Sequence, residues 1–269
     1  AFVCNDCGAD FPKWQGQCGE CQAWNTLSEI RLSAPAAKAA NARVAGRSGY
    51  AGTVAAVQRL KDISVVDLPR LASGFDELDR VLGGGFVPGS SILIGGHPGA
   101  GKSTLLLQAL CQLAAAHPAL YVTGEESPEQ IALRANRLGL PTDQLQLMAE
   151  TDVDAILTSA ESLKPKILVV DSIQVVHSET LTSAPGSVSQ VRDCAAQLTR
   201  YAKQTGTILI LVGHVTKDGS LAGPKVLEHM IDCSILLEGD HDSRYRTLRG
   251  QKNRFGAVNE LGIFAMTDT

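Results

Sequence analysis

Residues 96–103 read Gly-His-Pro-Gly-Ala-Gly-Lys-Ser, and this stretch decides the fold class. An apolar run, Ser91–Gly95, leads into it, and the apolar residues of Lys102–Ala116 after it recur at helical spacing. A glycine-rich turn between a strand and a helix directs backbone N–H groups at phosphate oxygens, and the helix adds its positive N-terminus to the same site. The alternative is a glycine-rich turn with no phosphate-binding role, but the strand before it and the helix after it would then both be coincidental. The stretch therefore predicts a phosphate-binding P-loop.

A P-loop of this type predicts ATP and Mg²⁺ as ligands. Lys102 is expected to reach the β- and γ-phosphates, and the Ser103 hydroxyl to ligate Mg²⁺. The run Ile167–Asp171 supports this, because four apolar residues before a carboxylate place Asp171 at the carboxyl end of a central strand, where it would hold Mg²⁺ through water. Taken alone, Asp171 could equally be a structural helix cap. The predicted nucleotide-binding residues are Gly96, His97, Pro98, Gly99, Ala100, Gly101, Lys102, Ser103, Thr104 and Asp171.

Hydrolysis also needs a group that orients or deprotonates the attacking water. Two glutamates follow the predicted strand Tyr121–Thr123, which a doubly wound sheet would place beside the P-loop strand. Glu125 is the predicted base, and Glu126 is the alternative, equally compatible with a solvated charge at the start of a helix. His214 ends the predicted strand Ile208–Gly213 and is either a contact of the γ-phosphate or a structural histidine.

From about Leu68 onward, apolar strand patterns alternate with helical patterns, which predicts an α/β domain with a mostly parallel sheet. The further predicted elements are strands at Leu145–Ala149 and Thr207–Gly213, and helices near residues 127–138, 153–163 and 188–205. Three later apolar runs have no long helix between them, which indicates an antiparallel edge on this sheet. These runs are Ile231–Glu238, Tyr245–Arg249 and Leu261–Met266.

Four of the seven cysteines lie near the N-terminus as two Cys-x2-Cys pairs separated by ten residues. Two such pairs can close a tetrahedron of thiolates around Zn²⁺, and a site with four cysteine ligands has no open position for catalysis. Disulfides are the weaker alternative in a chain of intracellular character. The sequence predicts a structural zinc site formed by Cys4, Cys7, Cys18 and Cys21, and core positions for Cys111, Cys194 and Cys233.

The composition indicates the class of protein and its domain organisation. Of 269 residues, 44% are hydrophobic and 19% charged, which is ordinary for a soluble, cytoplasmic protein, and the apolar runs are too short to cross a membrane. Residues 31–60 contain few large apolar groups and are predicted to be a flexible linker between a zinc module, residues 1–30, and an ATPase domain, residues 61–269.

The net charge of −4 excludes a protein that coats duplex DNA with its whole surface, so any nucleic-acid site must be local. One candidate is a group of cations that falls within eleven residues containing no acid, namely Arg244, Arg246, Arg249, Lys252 and Arg254. The alternative is a solvated edge strand whose charges prevent aggregation.

The order of these motifs resembles that of the bacterial RadA (Sms) family of RecA-like ATPases. Beside the cysteine pairs and the P-loop, the resemblance rests on Tyr-Val-Thr-Gly-Glu-Glu-Ser at residues 121–127 and Gly-His-Val-Thr-Lys-Asp-Gly at 213–219. Lys-Asn-Arg-Phe-Gly at 252–256 is its most specific mark. The resemblance implies a RecA-like P-loop ATPase core with a mostly parallel sheet, preceded by a four-cysteine zinc module. Chains of the family continue into a Lon-protease-like domain, which the sequence up to Thr269 does not include.

The resemblance also implies an activity: an ATP-driven ring, expected to be a hexamer, that moves on single-stranded DNA and promotes branch migration of recombination intermediates with a RecA-type recombinase. By matching motifs, Lys102, Ser103, Glu125 and Asp171 would act on ATP, while Lys252 and Arg254 would reach ATP or DNA across a subunit boundary. Loops near Gln174–Ser187 and Val215–Lys225 would contact DNA. The resulting candidates for DNA binding are Lys217, Lys225, Arg249, Lys252 and Arg254.

Two other classes of function use the same residues. The first is a nucleotide-gated scaffold that loads a recombinase on DNA without translocating. The second is a clock or signalling ATPase of the RecA-like type with a protein substrate, and the zinc module and Lys-Asn-Arg-Phe-Gly argue against it. A motor requires ATP hydrolysis for strand displacement, whereas a scaffold requires only ATP binding. This difference separates the two hypotheses.

Overall fold

The computed structural model describes residues 2–29, 59, 61, 69–214, 227–239 and 243–266. The predicted linker, apart from Arg59, lies outside the described residues, as does the predicted DNA-contacting segment Val215–Lys225 with Lys217. Within the described part of the chain, no helix combines the length and the apolar character that a membrane crossing requires.

The N-terminal residues form a three-stranded antiparallel sheet. Its strands are β1 (Phe2–Cys4), β2 (Asp10–Phe11) and β3 (Leu27–Glu29), arranged in the order β2-β1-β3. Its core consists of Cys4, Cys18 and Leu27 with a few partly buried neighbours. Such a small core stabilises a fold weakly, so a metal ion bound by the cysteines is expected to contribute much of the folding free energy.

The remaining elements build an eight-stranded sheet with helices on both faces. In chain order they are α1 (Asp76–Leu82), β4 (Ser91–Gly96), α2 (Lys102–Leu113), β5 (Ala119–Thr123), α3 (Pro128–Arg137), β6 (Gln146–Ala149), α4 (Val153–Leu163), β7 (Ile167–Asp171), α5 (Val188–Thr205), β8 (Ile208–His214), β9 (Cys233–Glu238), β10 (Tyr245–Asn253) and β11 (Leu261–Ala265). The strand order is β11-β10-β9-β4-β8-β7-β5-β6, and pairing from β9 to β6 is parallel. This arrangement confirms the predicted α/β fold with a mostly parallel sheet.

Alternate side chains of the central strands enter two separate hydrophobic layers. Ile92 and Ile94 of β4 pack in the layer covered by α1, α2 and α3, whereas Leu93 packs in the layer covered by α4 and α5. Strands covered on both faces are apolar throughout, which is why β4, β7 and β8 read as continuous apolar runs. The sheet is therefore a rigid support for the loops at the carboxyl ends of its strands.

Local signals set the start of helix α3, the helix that follows the two glutamates. The Ser127 hydroxyl accepts a hydrogen bond from the Gln130 backbone N–H, the Gln130 side chain accepts one from the Ser127 N–H, and Pro128 occupies the first turn. This capping box satisfies backbone N–H groups that the helix itself leaves unpaired. The predicted helix start is confirmed.

One expectation about strand order was wrong. Strand β5 does not lie beside the P-loop strand, because β8 and β7 separate it from β4. The predicted antiparallel edge is confirmed, because β10 pairs antiparallel with both β9 and β11, while β9 joins this edge to the parallel part of the sheet through β4. Strand order depends on the path of each crossover connection, and local periodicity contains no information about that path.

Strand β10 also runs further than expected, to Asn253, and lies between β9 and β11. The cationic segment is therefore an interior strand, and its interpretation as a protected edge strand was wrong. The edge position belongs to β11.

Candidate nucleotide-binding site

The loops after β4, β5, β7 and β8 meet around one cavity of about 290 Å³ at the carboxyl edge of the sheet. Parallel strands bring their carboxyl ends to the same edge, so predicted residues far apart in sequence converge here. The cavity is lined by predicted residues that include Lys102, Ser103, Glu125, Asp171 and His214, by the alternative base Glu126, and by three residues with no predicted role, Thr123, Arg134 and Met266.

The P-loop backbone depends on its glycines, as Gly96 and Gly101 illustrate. A Cβ atom on Gly96 would lie 2.5 Å from the Leu237 carbonyl oxygen of β9, and Gly101 has a φ of +98°. Lys102 is only 5% exposed, and its Nζ donates to the carbonyl oxygens of Gly96 at 2.8 Å and His97 at 2.9 Å. Burial lowers the pKa of Lys102, whereas the charges of Asp171 and Glu125 oppose that shift. The ammonium group is thus held inside the turn of the loop.

Asp171 is buried and receives two hydroxyl hydrogen bonds on one carboxylate oxygen. Ser103 Oγ donates to its Oδ2 at 2.6 Å, and the Tyr121 hydroxyl donates to the same atom at 2.5 Å. A serine hydroxyl beside a carboxylate, next to a phosphate site, is the set of hard oxygen donors that suits Mg²⁺. Ser103 and Asp171 therefore fit the predicted magnesium site. The peptide bond between Asp171 and Ser172 is cis.

Tyr121 was not predicted as a site residue. It is 1% exposed in the middle of β5, one strand away from Asp171. Burial raises the pKa of Tyr121 well above its usual value, and the neighbouring Asp171 adds to this shift, so the hydroxyl remains a donor. The available signal was a tyrosine inside an otherwise apolar strand, because a buried tyrosine hydroxyl normally requires a partner.

The two adjacent glutamates have different partners. Glu125 Oε1 accepts a hydrogen bond from Ser172 Oγ and lies 2.9 Å from His214 Nε2. Burial raises the pKa of Glu125, but the hydrogen bonds from Ser172 and His214 and the charge of Lys102 outweigh it and leave this pKa below its usual value. Glu126 forms an ion pair with Arg134 of helix α3. Glu125 is thus an ionised carboxylate beside His214, as a base requires.

A second cavity of about 260 Å³ adjoins the first and shares Gly101, Thr104 and Met266 with it. Its other walls include Leu105 of α2, Arg137 of α3 and Phe264 of β11. A cavity of mixed polar and apolar lining with two arginines, Arg137 and Arg246, directly beside the phosphate site, fits the nucleoside part of a nucleotide. Sequence reasoning missed this cavity because one of its walls, Phe264 of β11, lies far from the P-loop in the chain.

Lys252 and Arg254 lie at the opposite edge of the sheet from the P-loop. Lys252 Nζ donates to the carbonyl oxygens of Ile231, at 2.8 Å, and Glu228, while Arg254 Nη1 lies 3.1 Å from Asp232 Oδ1. The Asp232 N–H donates to the carbonyl oxygen of Ser91, the first residue of β4. Since strands rise about 3.3 Å per residue, this point is roughly 17 Å from Gly96. Neither side chain is placed to reach the phosphate site of the same chain.

The cationic segment does not form one continuous patch. Arg246 is buried and donates to the Ser243 carbonyl oxygen, whereas Arg249 is exposed and pairs loosely with Glu238 at 3.5 Å. Arg254 shares the 2% exposed carboxylate of Asp232 with Lys203. The five cations are therefore close in sequence but not on one surface, because a strand directs alternate side chains to opposite faces.

The loop after β7, which is the first predicted DNA-contacting segment, contains neither lysine nor arginine between Gln174 and Ser187. The buried side chain of Gln190 holds it: its Oε1 accepts from the Ser178 N–H at 2.8 Å, and its Nε2 donates to the Ser183 carbonyl oxygen at 2.9 Å. At the start of this loop, Gln174 Nε2 donates to the His214 carbonyl oxygen at 3.3 Å. The loop is therefore connected to the strand that ends at the cavity.

The four N-terminal cysteines meet as predicted. Their sulfur atoms all lie within 4.8 Å of one another, with Cys4 and Cys21 at 3.6 Å and Cys7 and Cys18 at 3.5 Å, and none forms a disulfide. Zn–S bonds of about 2.3 Å in a tetrahedron place sulfur atoms about 3.8 Å apart, so the spacing fits this ion.

The parallel sheet and the P-loop cavity define a nucleotide-binding protein of the P-loop class. A family model described as an AAA domain matches residues 55–220, more than half of the chain. A second model, described as a rubredoxin metal binding domain, matches residues 2–29.

Closely similar proteins carry the name DNA repair protein RadA. The chain is 65% identical over 268 residues to the protein of Escherichia coli (strain K12), 66% over 269 residues to that of Haemophilus influenzae, and 46% over 272 residues to that of Bacillus subtilis (strain 168). These matches cover 99–100% of the chain and 58% of each relative, so the chain spans somewhat more than half the length of these proteins. The chain belongs to the RadA family, which confirms the resemblance seen in its motifs.

Proposed function

We propose that the chain is a DNA-dependent ATPase of recombinational DNA repair, which moves on single-stranded DNA and promotes branch migration of recombination intermediates. The observation that carries the ATPase assignment is the convergence of Lys102, the Ser103–Asp171 pair and the Glu125–His214 pair on one cavity. The name of its RadA relatives supports a role in DNA repair, and in this role the protein works in the cytoplasm.

In the proposed reaction, Lys102 and the P-loop N–H groups bind the β- and γ-phosphates and stabilise the charge that develops on the transferred group. Ser103 and Asp171 would hold Mg²⁺, which would supply further positive charge beside the same phosphates. Glu125 orients the attacking water and accepts its proton, since its carboxylate is ionised. His214 holds the Glu125 carboxylate and places it towards the cavity.

We further propose a ring of identical subunits, a hexamer, in which Lys252 and Arg254 act on the nucleotide of the neighbouring subunit. Their place at the amino edge of the sheet supports this proposal, because they face away from the carboxyl edge where their own P-loop lies. The exposed Arg249, with Lys217, Lys225, Lys252 and Arg254, remains a candidate for DNA contact, and a RecA-type recombinase is the proposed partner.

The direct test is the rate of ATP hydrolysis by the purified chain with and without single-stranded DNA. We expect Mg²⁺-dependent hydrolysis that DNA accelerates, and no hydrolysis by Lys102→Ala, which keeps the fold but removes the charge over the phosphates. An equal rate with and without DNA would contradict DNA dependence, and near-normal turnover by Lys102→Ala would contradict the P-loop assignment. Strand displacement supported equally by ATP and by a non-hydrolysable analogue would favour the recombinase-loading scaffold over the motor.

A further inference from the structure

Arg134 faces the phosphate cavity, although none of the sequence motifs accounts for it. It lies on α3 and lines the cavity together with Glu125, Glu126 and His214. Its side chain is 20% exposed, which is low for an arginine, and its Nη2 donates to Glu126 Oε1. Arginine is rarely this buried unless it is paired or binds a ligand.

Both partners of this ion pair are held in place by the backbone around them. The Thr123 hydroxyl accepts from the Glu126 N–H at 3.1 Å and donates to the Glu126 carbonyl oxygen at 2.8 Å. Helix α3 begins at Pro128 with its capping box, and Ile131 and Ala135 anchor it in the core on either side of Arg134 along the chain. A preorganised guanidinium loses little conformational entropy when it binds a ligand.

The charges around the cavity indicate what this guanidinium binds. Three carboxylates line the cavity, those of Glu125, Glu126 and Asp171, against the cations of Lys102 and Arg134. A triphosphate adds several negative charges, so a second cation of the same chain would stabilise its outer end together with Lys102 and Mg²⁺. Among the described residues, Arg134 bonds through Nη2 alone, which leaves its remaining N–H groups available to phosphate oxygens.

We infer that Arg134 binds the γ-phosphate of ATP within its own subunit, and that Glu126 positions its guanidinium instead of acting as the base. The γ-phosphate is the target because Arg134 lines the cavity beside Glu125 and His214, the groups that the proposed function places around the attacking water. This inference rests on the proposed ATPase function. It also gives the two adjacent glutamates different roles, since Glu125 is the base and Glu126 positions Arg134.

The experiment compares the affinities of the purified chain for ATP and ADP, measured by calorimetric titration in the presence of Mg²⁺. We expect Arg134→Ala to bind ATP about ten- to a hundredfold more weakly, the factor that loss of a charged hydrogen bond corresponds to, and to bind ADP as the unchanged chain does. Arg134→Lys keeps the charge but not the planar fork of donors, so its ATP affinity should be intermediate.

The matched control is Arg137→Ala, which removes the same charge one turn further along α3. Arg137 lines the adjoining nucleoside cavity, so its loss should weaken ATP and ADP alike. The inference would be overturned if both Arg134 variants lost ATP and ADP affinity equally, or if neither variant lost any affinity. The ion pair between Arg134 and Glu126 would then be a purely structural contact. Failure of the unchanged chain to bind either nucleotide would instead overturn the proposed function itself.

Discussion

At the residue scale, the Asp171 carboxylate depends on two hydroxyl groups from different elements. Ser103 comes from the start of α2 and Tyr121 from the middle of β5, and both donate to Oδ2. These two hydrogen bonds fix the orientation of the carboxylate that would hold Mg²⁺ through water. Residues that orient a metal-binding carboxylate typically change metal affinity by about 10–100-fold when they are removed.

We therefore expect Tyr121→Phe to require about tenfold more Mg²⁺ for half-maximal ATP hydrolysis, because it loses only the hydroxyl that holds Asp171. Binding of ATP in the presence of a chelator should be unchanged, since the P-loop is intact. A titration with Mg²⁺ and a binding measurement in chelator check both statements.

Tyr201→Phe is the matched control for this change. Tyr201 is also buried, but its hydroxyl donates to the Ala160 carbonyl oxygen, in the layer between α4 and α5. Its removal should lower stability by a similar amount without altering the Mg²⁺ requirement. The same Mg²⁺ requirement in Tyr121→Phe as in the unchanged chain would show that the hydroxyl does not position Asp171.

At the scale of elements, the β1–β3 sheet depends on its metal more than on its core. We expect about one zinc per chain, and Cys7→Ser should lose this zinc and unfold residues 1–30, because metal binding supplies most of the folding free energy of such small units. Both tryptophans of the chain, Trp14 and Trp24, lie in this segment, so tryptophan fluorescence anisotropy reports on it alone. Basal ATP hydrolysis should remain.

Cys111→Ser serves as the comparison, since Cys111 is buried in α2 and contributes no ligand. It should keep the zinc and the anisotropy of the unchanged chain. Metal analysis that finds no zinc in protein purified without chelators would contradict the assignment. A loss of ATP binding in Cys7→Ser would show that the module docks on the ATPase core.

At the scale of the whole molecule, the proposed action of Lys252 and Arg254 on the nucleotide of a neighbouring subunit would make hydrolysis depend on assembly. An arginine supplied by a neighbouring subunit can contribute about 10³–10⁵ in rate. We expect Arg254→Ala to bind nucleotide but to lose DNA-stimulated hydrolysis. Mixing it with Lys102→Ala should restore activity above either variant alone, because some interfaces then join an intact P-loop to an intact Arg254.

The mixing experiment needs evidence that mixed assemblies form, which mass measurement of the particles provides. If mixed assemblies form and remain inactive, Lys252 and Arg254 act within their own chain or on DNA alone. Arg254 also shares Asp232 with Lys203, so thermal unfolding of each variant must be compared with its activity.

The sequence by itself determined the features that local patterns encode. The P-loop, the strand ending in Asp171, the capping box of Ser127 and Gln130, and the two cysteine pairs were all predicted correctly. Each depends on residues close together in the chain, where turn geometry, helix capping or ligand spacing restricts the residue types. The motifs were also sufficient to indicate the RadA family.

Only the tertiary structure decided which distant residues meet. It separated β5 from β4 by two strands, brought the Tyr121 hydroxyl to Asp171, paired Glu126 with Arg134, and placed Arg254 beside Asp232 at the far edge of the sheet. These contacts follow from strand order and from the face that each side chain occupies. Local periodicity reveals neither the strand order nor the face. A crossover can place the next strand beside its predecessor or further away, while the same residues stay buried.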